Sequence, residues 1–358
     1  MKLIPILPLP EELSVGHLGR IQCWYRFADL RTTASSLCAS YGVLAVQDRG
    51  MPALLGLARM AHMSVYDYVH RHSLLPFTCF ASRKCNGPTQ YNPFDRLVAR
   101  TRWITPRKLA YYCPECARQD RRERGFGYWR RAHQLPARFY CPTHHEQLLA
   151  AVKHDVAYSR TTCYWLDEST ASRYEEMSLP RPDSTVERFH AITRAMLESS
   201  IGRNIEDVST ILTRRASAAG LTIANTPKFV QDLGLAKKRL SHLVRDTVQA
   251  EVVAELFPKL VGCDPGHACI SVDQAVSLRR NGSPLSTATA MAMTILFPSV
   301  EDAMAALATD ESEFIRRPGV VVGEGEAVVE NAGRDAEVLK RPRLKPIPPT
   351  LLGAVVAC

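Results

Sequence analysis

The sequence predicts a mainly α-helical protein, in which helical, helix-turn-helix-like bundles gather around a small cysteine–histidine module with a few short strands. Two observations carry this. Apolar residues recur at three- and four-residue intervals in segment after segment, with Gly or Pro at the breaks. Within Tyr111–Leu149, two short pairs of soft ligands stand out: Cys113 with Cys116, then Cys141 with His144, separated by 24 residues. The hydrophobic share, 46% of 358 residues, is ample for a buried core, and a prior of ~150 residues per domain suggests two or three domains. The division expected is a first domain over 1–165, a polar, Pro-containing linker over 166–184, a helical region over 185–309, and a tail over 310–358.

The elements follow in order. Residues 1–12 are punctuated by Pro5, Pro8 and Pro10 and should run extended. Glu11 to Leu30 reads as helix, with Leu13, Leu18, Ile21, Trp24, Tyr25 and Leu30 forming an apolar stripe. Residues 34–46 form a second helix ending near Gly42. Residues 53–60 and Ser64–His72 then read as helix, turn, helix, with Ser64 as N-cap and Tyr66, Tyr68 and Val69 inward. Cys79 and Cys85 lack further partners for a second metal site. Beyond the knuckles, Val152–Trp165 alternates loosely and suggests short strands. Ser184–Glu198 is helical, with Val186, Phe189, Ile192 and Met196 on one face, and Ile205–Ala219 is a helix stopped by Gly220. Residues 226–246 carry a helix-turn-helix pattern: Lys228–Leu233, a turn at Gly234, then Ala236–Val244 with Leu240 and Val244 inward. Residues 251–261 precede Cys263, His267 and Cys269, a poor metal set without a fourth ligand. Thr287–Phe297 and Ser299–Leu307 are apolar helices. From Asp310 the composition turns Glu- and Gly-rich, then KRPRLKPIPP, and is expected to be disordered.

The knuckles point to a metal. Each has the form Cys-Pro-x-(Cys/His), a tight turn in which two side chains grip one ion and the proline stiffens the turn. The set Cys113, Cys116, Cys141 and His144 reads as a Cys₃His zinc-ribbon-like site holding structural Zn²⁺. His145 is an alternative fourth ligand, though the parallel between the knuckles favours His144. Between the knuckles lie Arg118, Arg121, Arg122, Arg124, Arg130, Arg131 and Arg138, against only Asp120 and Glu123. The net charge of the chain is +9 with a pI near 9.0. Residues 96–160 alone hold 14 Lys/Arg against 5 Asp/Glu, an excess equal to that of the whole chain. Such a stripe suits a polyanion, and Arg121, Arg122, Arg124, Arg130 and Arg131 are candidate DNA contacts. Lys237, Lys238, Arg239 and Arg245 on the expected recognition helix are a second set.

Other classes fit less well. The opening MKLIPILPLPEEL lacks the pattern of a signal peptide, and no run reaches ~18 apolar residues. The expected location is therefore cytoplasmic, near the bacterial nucleoid, with no membrane partner and with the eleven Cys as thiols or ligands. Zinc deaminases place His-x-Glu before Pro-Cys-x-x-Cys; here the order is reversed and Pro114 lies inside the pair. The string HEQLL at 145–149 lacks the second histidine of a metalloprotease helix, and no phosphate-binding Gly-x-x-x-x-Gly-Lys-(Ser/Thr) loop occurs. Four protein ligands also close a zinc site, so no enzyme is expected. A zinc-containing, sequence-specific transcription regulator and a protein-bridging module remain alternatives.

Three strings resemble the TniQ/TnsD family of transposition target-site selection proteins. The opening LPLPEELSVGHLGR resembles that family's proline, acidic pair, then helix with an arginine. Arg71–Phe77, RHSLLPF, resembles its Leu-Leu-Pro segment. Tyr112–His144 follows its order of Cys-Pro-x-Cys, Tyr-Trp-Arg, His-Gln-x-Pro and Cys-x-x-His, departing at Ala137, where the family usually has glycine. The resemblance covers about residues 3–150 and is loose beyond 185. It implies an adaptor without catalysis that binds target DNA or a targeting complex and recruits the transposon's AAA+ ATPase regulator. The partners expected are DNA, that ATPase, an RNA-guided CRISPR effector complex and a second copy of the chain.

Overall fold

The computed structural model describes residues 3–43, 52–82, 107, 109–150, 181–200, 202–223, 238–261, 270–276 and 286–308. The expected strands in 152–165, the residues 226–237 that open the helix-turn-helix pattern, Cys85, Cys263, His267, Cys269 and the tail from 310 all lie outside them. The described residues all fall in one compact unit, within Met1–Asp310. The described chain is mainly helical. No single described helix is long and apolar enough to cross a membrane.

Four helices build the first layer: α1 (Ser14–Tyr25), α2 (Leu30–Ser40), α3 (Pro52–Met60) and α4 (Val65–His72). The long helix expected over 11–30 stops at Tyr25, because Arg26 adopts the left-handed conformation, its N–H donating to Cys23 O and that of Phe27 to Gln22 O. Asp29 then starts α2, its carboxylate accepting from Thr32 N–H at 2.6 Å. Gly42, at φ +64°, follows the end of α2 two residues after Ser40. Ser64 caps α4, accepting from Asp67 N–H at 3.0 Å, as its sequence position predicted. Leu18, Ile21, Leu37, Leu57, Tyr68 and Val69 form one core of this layer. Trp24 departs from the expected stripe and is 67% exposed. Gly56 is required by packing: a Cβ there would stand 2.9 Å from Leu37 Cγ.

The later helices share a second core with the Arg-rich stretch. After α5 (Leu75–Thr78), the knuckle region contributes β2 (Tyr111–Tyr112), α6 (Pro114–Arg124), a 3₁₀ turn (Arg131–Gln134) and β3 (Leu149–Ala150). β2 and β3 pair antiparallel, Tyr111 opposite Ala150, and close the base of the module. α7 (Ser184–Glu198) is capped by Asp183, which accepts from Val186 N–H at 2.8 Å. Its expected face holds: Val186, Phe189, Ile192 and Met196 are all buried, in one cluster with Trp129, Leu135 and Phe139. Short strands β1 (Ala81–Ser82) and β4 (Arg203–Asn204) pair in parallel, and β4 leads into α8 (Ile205–Ala218), which Gly220 follows at φ +72°.

The candidate recognition helix is shorter than expected. α9 spans Leu240–Thr247, with Leu240 and Val244 buried as predicted. Lys238 and Arg239 precede it outside the helix, Arg239 in extended conformation, and Thr222 N–H donates to Lys238 O at 2.8 Å. The backbone pairing with Thr222 competes with the helical turn that the local sequence favours. α10 (Ala250–Leu256), α11 (Pro258–Val261), α12 (Ile270–Gln274), α13 (Ser286–Leu296) and α14 (Val300–Ala308) complete the second core.

Candidate metal centre

The two knuckles meet by different local routes. The first sits at a helix start: Cys113 is the N-cap of α6, Pro114 takes the first helical position, and Cys116 N–H points at Cys113 Sγ from 3.5 Å. The helix N-terminus favours negative charge on Cys113. The second sits on a hairpin closed by the Tyr140–Gln147 bridge, with Leu148 N–H donating to Phe139 O at 2.7 Å and Cys141 N–H to Glu146 O at 2.8 Å. Its turn aims Thr143 N–H and His144 N–H at Cys141 Sγ, each from 3.4 Å.

Together they bring Cys113, Cys116, Cys141 and His144 around one point, the three cysteines buried and the histidine half-buried. His144 Nδ1 lies 3.6 Å from Cys113 Sγ, 3.3 Å from Cys116 Sγ and 3.7 Å from Cys141 Sγ, and the Cys116 and Cys141 sulfurs are 3.8 Å apart. A tetrahedral Zn²⁺ with Zn–S of about 2.3 Å and Zn–N of about 2.0 Å requires S···S edges of about 3.8 Å and S···N edges of about 3.5 Å. The residues therefore fit zinc in number, type and spacing. His145 is exposed, at φ +57°, and stands outside the set. Three buried sulfurs cannot all carry charge unaided: hydrogen bonding from Cys113 and Cys116 holds Cys141 far below the thiol range, while Cys116 is pushed far above it by its contacts with Cys113 and Cys141 and by burial. A divalent cation removes that conflict, because it binds thiolates.

A second layer of residues holds the ligands in place. Gln134 replaces a strand partner for Tyr111, accepting its N–H at 2.9 Å and donating to its carbonyl at 2.6 Å. His133 is buried within hydrogen-bonding contact of Cys141. Both were visible only as part of the His-Gln-x-Pro string, without a role. Trp129 is fully buried, edge-on to Tyr112 with centroids 6.1 Å apart. Gly16 allows α1 to approach, since a Cβ there would meet Trp129 Cβ at 3.2 Å. The N-terminal segment completes the packing: Leu13 N–H donates to Trp129 O at 2.7 Å and Arg131 N–H to Glu11 O at 2.9 Å.

The structure sorts the candidate DNA-contacting arginines. Arg131 is 7% exposed and ion-paired with Glu11 at 2.9 Å, and it also donates to His70 O. Arg130 pairs with the buried Asp120 at 2.8 Å and stacks over Tyr128. Arg124 reaches Asp120 and Glu123. These three knit the module together, and their spacing alone gave no hint of acidic partners up to 120 residues distant in sequence. Arg121 and Arg122 lie on the outer face of α6, Arg122 being 73% exposed beside Glu115. Lys238 and Arg245 are exposed, Arg239 is half-buried, and Lys237 lies outside the described residues.

Ala137 explains its departure from the expected glycine. It sits at φ +51°, fully buried, with its N–H donating to Glu255 Oε1 at 3.2 Å and its carbonyl accepting from His190 Nε2 at 2.8 Å. The left-handed region costs a non-glycine residue about 1–2 kcal/mol. Glycine relieves that, but loses a buried methyl of about 0.8 kcal/mol and adds unfolded-state freedom of about 0.5–1 kcal/mol. Ala137→Gly is expected to leave stability within about 1 kcal/mol of the parent, and Ala137→Val to lower it by about 3 kcal/mol or more through branching at positive φ and overpacking. Urea unfolding of both variants checks this; equal losses would remove backbone strain as the cause.

Fold and cluster together define a helical protein braced by a closed Cys₃His centre, a type of site that serves architecture. A search of curated proteins finds no match. Residues 4–148 match the TniQ family model, and this N-terminal part of the chain belongs to the TniQ family. A TniQ domain implies an association with transposition and target selection.

Proposed function

We propose that the protein is a target-selection adaptor in DNA transposition. It binds target DNA or a targeting complex and recruits the transposon's AAA+ ATPase regulator, without catalysis of its own. The observation that carries this reading is the TniQ match over the same residues that build the Cys₃His centre. In this reading Cys113, Cys116, Cys141 and His144 hold a structural Zn²⁺, whose filled coordination leaves no position for water or substrate. The ion fixes the start of α6 and so presents the exposed Arg118, Arg121 and Arg122 on one helix face.

DNA contact is assigned to Arg121 and Arg122 and to Lys237, Lys238 and Arg245. The ion-paired Arg124, Arg130 and Arg131 support the surface from beneath. An RNA-guided CRISPR effector is a second route to the target, and a second copy of the chain a further partner. Binding of the purified protein to random and target-site duplex, at two salt concentrations, tests the DNA part. Charge removal at Arg121 and Arg122 together is expected to weaken binding and to lower the salt slope by about one unit for each phosphate left without its arginine. An unchanged slope returns these arginines to the solvated surface. Co-purification with the ATPase in the absence of DNA tests the recruiting role, and no co-purification would overturn it.

A further inference from the structure

A cleft of about 700 Å³ opens between the second knuckle and α7. Arg138 lines it, half-buried, and its guanidinium has no carboxylate partner among the described residues. Its hydrogen bond from Nη2 to His190 O is long, at 3.4 Å, and its Nε is buried without an acceptor. Neighbouring cations do better: Arg107 pairs with Glu255 and Arg194 with Glu198, both at 2.8 Å. Burial, with Arg194 and Arg107 nearby, pushes Arg138 down to about 10, so it stays charged at neutral pH. His190 offers it no relief, since burial pushes that imidazole down to about 3 and keeps it neutral. A desolvated cation without a counter-charge is costly, and an incoming anion offsets that cost.

The walls decide what kind of anion. Ala132, Pro182 and Ala191 line the cleft with apolar surface. Glu11, Glu187 and Glu198 also line it, against Arg131, Arg138, Arg181 and Arg194. Two of the glutamates are spent on Arg131 and Arg194, so the lining is left with an excess of one positive charge, which one carboxylate balances and a run of phosphates does not. One guanidinium without a carboxylate of its own among the described residues, a single excess positive charge and apolar patches in the wall suit a single carboxylate carried between apolar side chains. We propose that this cleft is a docking site for a partner protein, which inserts an Asp or Glu flanked by apolar residues onto Arg138. The guanidinium fork takes the carboxylate through paired N–H donors, and the accessible Ala132, Pro182 and Ala191 receive the flanking side chains. The site stands on its own geometry and needs neither DNA binding nor a role in transposition.

The test is an array of dodecapeptides, each with an Asp or Glu between two apolar residues and each paired with its Asn or Gln twin, probed with the full-length protein. Acidic members are expected to bind about tenfold or more tightly than their amide twins, the scale of a charge-assisted pair. Arg138→Gln is expected to erase that difference while leaving the melting temperature equal or higher, because it removes an uncompensated charge. Ala191→Trp fills the cleft from an exposed position, leaves the guanidinium in place, and is expected to block the same peptides. Absence of any acid-over-amide preference overturns the proposal. So does unimpaired binding in Ala191→Trp, or a random DNA duplex that displaces the peptides and loses its own affinity on Arg138→Gln. A marked loss of stability in Arg138→Gln, with peptide binding unaffected in Ala191→Trp, overturns it in favour of a purely architectural arginine.

Discussion

Serine at Cys113 or at Cys141 is expected to strip zinc from the Cys₃His centre and to unfold the region built around it. The three sulfurs are buried and lie with Tyr111, Leu148 and Ala150 in a small core of their own, which has little apolar surface to sustain it without an ion. Structural zinc contributes on the order of 10 kcal/mol to finger peptides that have no other core. Here the adjoining helices keep part of the fold, so a loss of about 3 kcal/mol or more is expected, lowering the melting temperature by ~10 °C. Chelation of the parent protein should reproduce that shift. His145→Ala serves as the comparison and should retain both zinc and melting temperature, since His145 stands outside the cluster. Full zinc content in Cys141→Ser, or zinc loss in His145→Ala, would overturn the ligand assignment.

Glu12→Ala is expected to cost about 3–5 kcal/mol, and its neighbour Glu11→Ala about 1 kcal/mol or less. The two acids are adjacent in sequence and differ in burial. Glu12 is fully buried, grips Arg20 through Nε at 2.9 Å and Nη2 at 2.8 Å, and also accepts from Leu9 N–H at 2.8 Å. Its removal leaves Arg20, 12% exposed, as a charge without its partner, and frees the backbone turn that leads into α1. Glu11 pairs with Arg131 across 120 positions but is 48% exposed, so water replaces much of what it supplies, and Arg131, though only 7% exposed, keeps its bond to His70 O. Denaturant unfolding of the two variants measures the ranking. Equal costs would mean that the N-terminal segment is held by its backbone pairing to Trp129 and Arg131 rather than by the buried ion pair.

These two acids also show how far the sequence could be read. The strings that resemble the family (Glu11-Glu12 with Arg20, Tyr128-Trp129-Arg130, His133-Gln134) converge around the metal centre in three dimensions. Each string was legible, but its partner was not, because Glu11–Arg131 and Tyr111–Gln134 are contacts between distant segments with no local period to announce them. Helices with a strong one-sided stripe and a capping residue, such as Ser184–Glu198, are legible to the residue. Leu30–Ser40 and Leu240–Thr247 begin elsewhere than their patterns suggest. There Arg26 in the left-handed region and the Thr222–Lys238 backbone bond interrupt a helix that local propensity would have continued.

By itself the sequence determined the helical class, the three cysteines of the candidate metal centre and the resemblance to the TniQ family, since ligand spacing, knuckle prolines and apolar periodicity are local properties of the chain. Tertiary structure alone decided which histidine completes the cluster and which arginines remain outside. His144 joins and His145 does not, because the hairpin turn at Cys141 aims one ring inward and leaves the next residue at positive φ. Arg130 and Arg131 became internal struts because Asp120 and Glu11 were folded against them, while Arg138 lines a cleft with no carboxylate paired to it among the described residues. Charge count is additive along a chain, but the partner of each charge depends on how distant segments pack.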